Sequence, residues 1–280
     1  MAENYKKNKV AFQGEIGAYS EEAALKFFNK DVKTIPCATF EDVFRLVEKG
    51  KANYGVLPIE NSLEGSVGQN YDLLLKTNLK IFGELILRVE HCLIAEKGVK
   101  LDSIKDVYSH LQALGQCQEF LKKLNVRLIP FYNTAGSVKM LKTKKLKNSA
   151  AIASERSARV YNMNILKKGI ETNKKNFTRF FIVSKKEKGQ TKNDKTSIVF
   201  TLKHSPGTLY KALGIFSICD INLTKIESRP IIGKPFEYNF YLDFEGHYKD
   251  KIIIEVLEIL KQNCLFLKIL GSYPKAKIEF

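Results

Sequence analysis

Long hydrophobic runs are the first thing missing. No stretch of the 280-residue chain approaches the roughly 18 apolar residues of a membrane span, and the N-terminus MAENYKKNKVAFQG has charge but no apolar signal core. Both absences lead us to expect a cytoplasmic protein with no membrane partner. Cysteines are few and odd in number: Cys37, Cys92, Cys117, Cys219 and Cys264 stand far apart, mostly in apolar or helical stretches, so buried free thiols are expected rather than disulfides. No CxxC pair or HExxH occurs, and His91, His110, His204 and His247 are scattered, which argues against a structural or catalytic metal. A Ser-His-Asp order, a Walker loop and a GxGxxG fingerprint are lacking too, as is any internal repeat.

Acidic residues are also in short supply. Lys and Arg number 46 against 30 Asp and Glu, a formal charge of +16, which raises the question of nucleic acid. The basic residues are mostly lysines spread along the chain. Their densest runs, KTKKLKN (142–148) and KKEKGQTK (185–192), contain no aromatic residue to stack on bases, so solvated faces and linkers explain them better and no nucleic-acid partner is expected. Such a surface would still raise encounter rates with a doubly anionic metabolite.

What is present is the composition of a folded protein, 44% hydrophobic and 27% charged, long enough for two domains or three compact lobes. The first part alternates short apolar runs with capped amphipathic helices, an α/β layer pattern. Strands are predicted at Val10–Gln13, Gly55–Ile59, within Ile81–Ala95, at Ala150–Ala153 and at Phe180–Val183. Helices are predicted to begin at Ser20, taken as an N-cap, and at Thr39, whose Asp42 stands three residues on as in a capping box, and to cover Ser109–Leu124, Thr134–Leu141 and Ser154–Tyr161. The polar stretch from Lys185 to Asp194 reads as a domain boundary. Beyond it the order strand, helix, strand, strand, helix, strand describes a ferredoxin-like βαββαβ fold.

Three places could carry chemistry. On the helix predicted from Ser109, Leu114, Cys117, Leu121 and Leu124 mark the buried stripe, while Ser109, Gln112 and Gln116 form a neutral polar row starting at a helix N-terminus. A carboxylate would be stabilised there, although spacing alone favours a solvated face. Glu60-Asn61-Ser62 comes straight off an apolar strand, where open α/β sheets bind ligands; a turn relieved by Gly65 and Gly68 is the equal alternative. In Asn176-Phe177-Thr178-Arg179-Phe180 a hydroxyl and a guanidinium stand beside two aromatics. An ordinary edge strand accounts for this segment at least as well.

The motifs VAFQGEIGAYSEEAA, VLPIENSLEGSV, SHLQALGQCQEFL, NTAGSV, AAIASERSARVYNMNIL and NFTRF, in that order, resemble those of prephenate dehydratases. GTLYKALGIFSICDINLTKIESRP resembles the ACT domain that follows in that family. The match runs from about Val10 to Pro274, and the stretch from Phe236 to Tyr241 and LGSYP also look like plant-type arogenate dehydratases. The resemblance implies an α/β catalytic part, residues 1–185, folded like type II periplasmic binding proteins: one lobe of about 1–85 with 166–185, another of 86–165, and the active site between them. A linker, 186–194, and an ACT regulatory domain, 195–280, would follow.

By this likeness Thr178 is the catalytic hydroxyl, and Glu60, Asn61, Ser62, Ser109, Gln112, Gln116, Thr134, Arg179 and Phe180 bind substrate. Arg179 or the helix at Ser109 would take the substrate carboxylates. The implied reaction is that of a carbon–oxygen lyase, turning prephenate into phenylpyruvate by loss of water and carbon dioxide, with no cofactor. Phenylalanine would bind at Gly207, Thr208, Leu209, Asn222, Leu223, Glu227, Ser228, Arg229 and Pro230 in a homodimer or homotetramer and inhibit by feedback. The first strand begins so early that no fused chorismate mutase domain is expected. Departures from the family pattern are Leu111 in place of Pro, Ala18-Tyr19 in place of Thr-Phe, Asn133 where an acid is frequent, and Thr208 in place of Ala. Arogenate dehydratase is the alternative enzyme. A solute-binding or amino-acid-sensing protein is the rival from another class.

Overall fold

The structure is a computed structural model that describes residues 8–278; the N-terminal charges read above, up to Lys7, and the last two residues lie outside the described part. Its first section carries β1 (Lys9–Gln13), α1 (Tyr19–Phe27), β2 (Lys33–Cys37), α2 (Phe40–Glu48), β3 (Tyr54–Asn61), β4 (Gly65–Ser66), α3 (Gly68–Lys76) and β5 (Lys80–Arg88). A second section holds β6 (Cys92–Ala95), β7 (Asp106–Ser109), α4 (Leu111–Gln116), α5 (Gln118–Lys122), β8 (Arg127–Pro130), α6 (Thr134–Lys144), β9 (Ser149–Ala153), α7 (Glu155–Val160) and β10 (Asn164–Lys168). The chain then returns as β11 (Phe177–Ser184).

Two sheets result, and with them two lobes. In the first, the order is β2-β1-β3-β11-β5, with β4 beside β3. Here β1 runs parallel to β2 and β3, while β11 is wedged antiparallel between β3 and β5. The apolar run Val10-Ala11-Phe12 is buried on both faces, as a central strand with helices on either side requires. Pro36, which has no N–H to give a ladder, sits on the edge strand β2. The second lobe orders its strands β10-β6-β9-β7-β8, parallel among β9, β7 and β8 and antiparallel at β6 and β10. The chain crosses between lobes at residues 89–91 and 169–176. The return is a few residues later than expected, because β10 still pairs with β6.

The third unit runs β12 (Asp194–Thr201), α8 (Thr208–Ile218), β13 (Leu223–Ile231), β14 (Lys234–Glu245), α9 (Lys251–Gln262) and β15 (Phe266–Pro274). This is βαββαβ, with an antiparallel sheet ordered β13-β14-β12-β15, the ferredoxin-like arrangement. Strand alternation gives the sheet two buried faces. Ile198, Phe200, Leu242 and Phe244 pack under α8 and α9, whereas Val199, Tyr241 and Tyr273 join the core of the first lobe. The third unit is therefore fused to the first lobe through a shared apolar layer.

Several local readings need correction. Ser20 is not the cap of α1, which starts at Tyr19 after Ala18. The segment from Ser109 is not one helix: Ser109 ends β7, His110 caps α4, and the helical path breaks at Cys117. The strands β2, β8 and β10 lack the apolar alternation that would have revealed them. Gly65 does have a positive φ of 83°, but Gly68 relieves no strain; a Cβ there would lie 1.8 Å from the Arg229 guanidinium. All five thiols are free, with Cys37, Cys92 and Cys117 buried, and burial raises the Cys92 thiol to about 11. Among the described residues no helix is long and apolar enough to cross a membrane, and no cluster of three His, Cys, Asp or Glu could hold a metal.

The capping box expected at α2 is complete: Thr39 Oγ1 accepts from the Asp42 N–H, and the Asp42 carboxylate accepts from the Thr39 N–H. Thr39→Ala should lower the unfolding free energy by about 1 kcal/mol in urea titration.

Candidate active site

The two lobes enclose a cleft with a cavity volume of about 420 Å³, within the size range of small-molecule sites. From the first lobe come Gln13 at the end of β1, Tyr19 and Ser20 on α1, Asn61 at the end of β3, and Thr178 and Phe180 on β11. From the second come His110, Gln112 and Gln116 around α4, and Asn133 and Thr134 at the start of α6; Val89 and His91 line the first crossing. Carboxyl ends of strands and helix N-termini thus meet across one space. Among the described residues no lysine or arginine lines it.

Thr178 and Asn61 are direct partners in the ladder between β11 and β3, so backbone pairing alone sets their side chains together. Asn61 Oδ1 accepts from the N–H groups of Leu63 and Glu64, at 3.0 and 3.1 Å. Its amide nitrogen consequently faces Thr178 Oγ1 at 3.0 Å and Asn176 Oδ1 at 2.8 Å. Since the threonine oxygen accepts a hydrogen there, its own O–H is left to donate elsewhere, and the cleft is on that side. Asn176 Nδ2 donates to Gln116 Oε1 at 2.9 Å, and Gln116 Nε2 to Glu64 at 3.2 Å, joining the lobes across the floor.

The sequence-predicted site residues divide into two groups. Asn61, Gln112, Gln116, Thr134, Thr178 and Phe180 all face the cleft, and Glu60, Ser62, Ser109 and Arg179 do not. Ser62 Oγ is bonded to the Lys175 carbonyl and accepts from the Phe177 N–H. Ser109 is fully buried, its Oγ donating to the Ile152 carbonyl at 2.6 Å, so it ties β7 to β9. Glu60 turns to Lys225 of the third unit at 3.1 Å.

Arg179 is the largest displacement from expectation. Neighbours along a strand point to opposite faces, and Arg179, one residue from Thr178, lies on the far side of the sheet. It pairs with Glu84 at 2.7 Å, Asp243 at 2.6 Å and Tyr273 Oη at 3.1 Å, while Lys195 adds a second cation at 3.3 Å from Glu84. Burial by itself would lower the guanidinium pKa, but Asp243, Tyr273 and Glu84 hold it above its ordinary value. This network seals the first lobe to the third unit.

The rim is closed by the loop before α1. Ser154 and Ser157 both donate to the Gly17 carbonyl at 2.8 Å, Tyr161 Oη to the Ile16 carbonyl, and Arg156 pairs with Glu21 at 2.8 Å. Gly17 has φ 94° and packs against the Ser157 backbone, a place for glycine only.

The phenylalanine set also separates. Thr208 and Leu209 border a second cavity with Lys203, His204, Tyr238 and Phe240, and Gly207 caps α8 at φ 79°. Ser228 is paired with Phe240 on that face, and Pro230 with Tyr238. Glu227 and Arg229 face the first lobe instead, bonded to Ser66 at 2.7 Å and to Asp72 at 2.7 and 2.9 Å. Leu223 packs at the rim of the third unit's core, and Asn222 precedes it.

Sequence reasoning missed Gln13, Ser20, His91, His110 and Tyr132 at or beside the cleft; Tyr19 and Asn133 stand out there only as departures from the family pattern, and Asn176 only as the start of the third candidate segment. A usable signal was the position of Gln13 at a strand's carboxyl end; for His91, at a crossing, no sequence pattern exists.

A two-lobed α/β protein with a small-molecule cleft walled by neutral polar groups, joined to a ferredoxin-like unit, is what fold and site define. The family model described as prephenate dehydratase matches residues 10–188. A protein of Arabidopsis thaliana described as arogenate dehydratase/prephenate dehydratase 2, chloroplastic, is 44% identical over 95% of this chain and 72% of its own. A bifunctional chorismate mutase/prephenate dehydratase of Aquifex aeolicus is 41% identical, over 98% of this chain and 75% of its own. The crystal structure of prephenate dehydratase from Arthrobacter aurescens in complex with L-Phe superposes with a TM-score of 0.88 at 31% identity, covering 95% and 90% of the two chains. The chain belongs to the prephenate dehydratase family.

Arg179→Ala leaves Glu84 and Asp243 buried without their main cation, so stability in urea should fall by about 3–5 kcal/mol, with KM of the surviving folded fraction little changed. Burial, its largest influence, lowers the His91 pKa against smaller upward pulls from Gln116 and Glu171. A base whose folded pKa is depressed contributes stability that is present above its unfolded value, about 6.5, and lost as pH falls below it. The unfolding free energy should therefore decline as pH drops from about 7 to 5, and less steeply in a His91→Gln variant.

Proposed function

We propose that the protein is a prephenate dehydratase, with arogenate as the alternative substrate, and that Thr178 donates a hydrogen bond to the departing ring hydroxyl. The observation that carries this is the Asn61 amide against Thr178 Oγ1, which occupies an acceptor lone pair and leaves the O–H free to donate into the cleft. Loss of the hydroxyl and of carbon dioxide leaves an aromatic ring, so the reaction needs orientation and a place for developing charge more than a nucleophile. A threonine hydroxyl is a weak acid; it acts as a donor stabilising charge on the leaving oxygen.

With Arg179 turned away, the substrate carboxylates are left to neutral donors. Gln112, Gln116, Thr134 and the backbone N–H groups at the start of α6 supply them, the last with the help of the helix dipole. The long-range positive field of the chain favours arrival of a dianion.

The two-lobed part is in this reading a type II periplasmic-binding-protein-like frame, residues 1–185, and the third unit, 195–280, an ACT domain that takes phenylalanine. Support comes from the cavity at Thr208 and Leu209 and from the L-Phe named in the Arthrobacter structure. Tyr210, Ile218, Ile232 and Phe236 expose large apolar surface on this unit, which suits pairing with a second copy. A cytoplasmic location belongs to the same reading.

Thr178→Ala should reduce kcat about a hundredfold or more with the fold intact by circular dichroism; near-normal turnover of prephenate and arogenate, assayed in parallel, would remove Thr178 from the mechanism. Calorimetry with millimolar phenylalanine should show binding by the wild type. Absence of heat together with unchanged activity would end the regulatory part of the proposal.

A further inference from the structure

Asn61, Asn176, Gln116, His91 and Tyr19 form one continuous file of side-chain hydrogen bonds along the cleft, and its directions can be deduced link by link. The start is fixed by the backbone: Leu63 and Glu64 N–H groups donate, so the atom of Asn61 that meets them is the oxygen. The Asn61 nitrogen then donates to Asn176 Oδ1, and Asn176 Nδ2 in turn donates to Gln116 Oε1. His91 Nε2 lies 2.9 Å from that same oxygen. An oxygen accepts only, so Nε2 must carry a hydrogen. In the neutral ring Nδ1 is then a bare acceptor, and the Tyr19 hydroxyl, 2.9 Å away, donates to it.

The Tyr19 hydroxyl is also 2.8 Å from the Glu90 carbonyl, and its single hydrogen could go there instead. Nδ1 would then need a hydrogen of its own, making an imidazolium. His91 is 2% exposed, and the groups that face it are Tyr19 from α1, Gln116 from α4 and the Glu171 carboxylate, which accepts from the His91 backbone N–H rather than from the ring. With no carboxylate on either ring nitrogen, burial disfavours the charged ring.

We propose that His91 is a positioning residue whose Nε2–H holds the Gln116 amide in one orientation, oxygen inward and NH2 toward the cleft, so that the site presents a donor to an anionic substrate. One hydrogen of that NH2 goes to Glu64, and the other has no partner among the described residues. Were the amide to turn over, its oxygen would face the substrate carboxylate, and Asn176 and His91 would both meet an NH2 group. The Tyr19 hydroxyl adds a donor that only the Nε2–H tautomer can accept.

The inference rests on the proposal that the cleft takes a carboxylate substrate, but its first test does not. Long-range 15N–1H NMR of the unliganded protein should show His91 as a neutral ring protonated at Nε2 at about pH 7 to 8. An Nδ1–H ring or an imidazolium in that range would overturn it. The second test compares two variants in the same assay. His91→Asn keeps an acceptor near the Nδ1 place and loses the donor to Gln116; His91→Gln restores a donor near the Nε2 place. KM should rise about tenfold or more in His91→Asn with kcat within about threefold, and His91→Gln should recover most of that loss. Equal KM in both variants, or parallel losses of kcat and thermal stability, would mark His91 as merely structural. Should wild-type protein turn over neither prephenate nor arogenate, the functional proposal fails while the NMR result still decides the tautomer.

Discussion

The Asn61 side chain is the constraint on which the cleft depends. Two backbone N–H groups hold its oxygen, and that single anchoring fixes the direction of the bonds that follow, to Thr178 on one side and through Asn176 to Gln116 and His91 on the other. Amide side chains are symmetric in shape and opposite in polarity, so a site built of them needs at least one end tied to a group with no choice. Here the turn after β3 supplies it. Thr178 could not be read as a donor without this reference point.

The antiparallel insertion of β11 between β3 and β5 explains why one strand serves two purposes. Thr178 and Phe180 belong to the cleft, and Arg179 and Phe181 belong to the seam with the third unit, where the guanidinium lies 4.7 Å from the Phe181 ring. A single strand therefore connects substrate contact with the domain seam at one-residue spacing. The same alternation on β13 sends Glu227 and Arg229 to the first lobe and leaves Ser228 beside the second cavity.

Much of this was legible in the sequence, and what was not has definite reasons. The helices α2, α6, α7 and α8 and the βαββαβ order were visible because caps, periodicity and boundary residues agreed locally. The sequence points to Asn61, Gln112, Gln116, Thr134, Thr178 and Phe180, and these six line the cavity. Placing both Thr178 and Arg179 in one site ignored the two-residue period of a strand, information the sequence did contain. Ser109 was misplaced because β7 is only four residues long and its polar end mimics a helix start. The role of His91 could not be read, since it arises from partners on three elements far apart in the chain.

The rim at Gly17 has a consequence for traffic through the enzyme. Its carbonyl is held twice from α7's end of the second lobe, and Ile16 and Glu21 are held beside it. For the jaws to part there, four contacts must be surrendered almost together, since all fall on one short loop and the first turn of the helix that follows it. Opening at that edge is therefore cooperative, because loss of one contact leaves the other three holding the same seam.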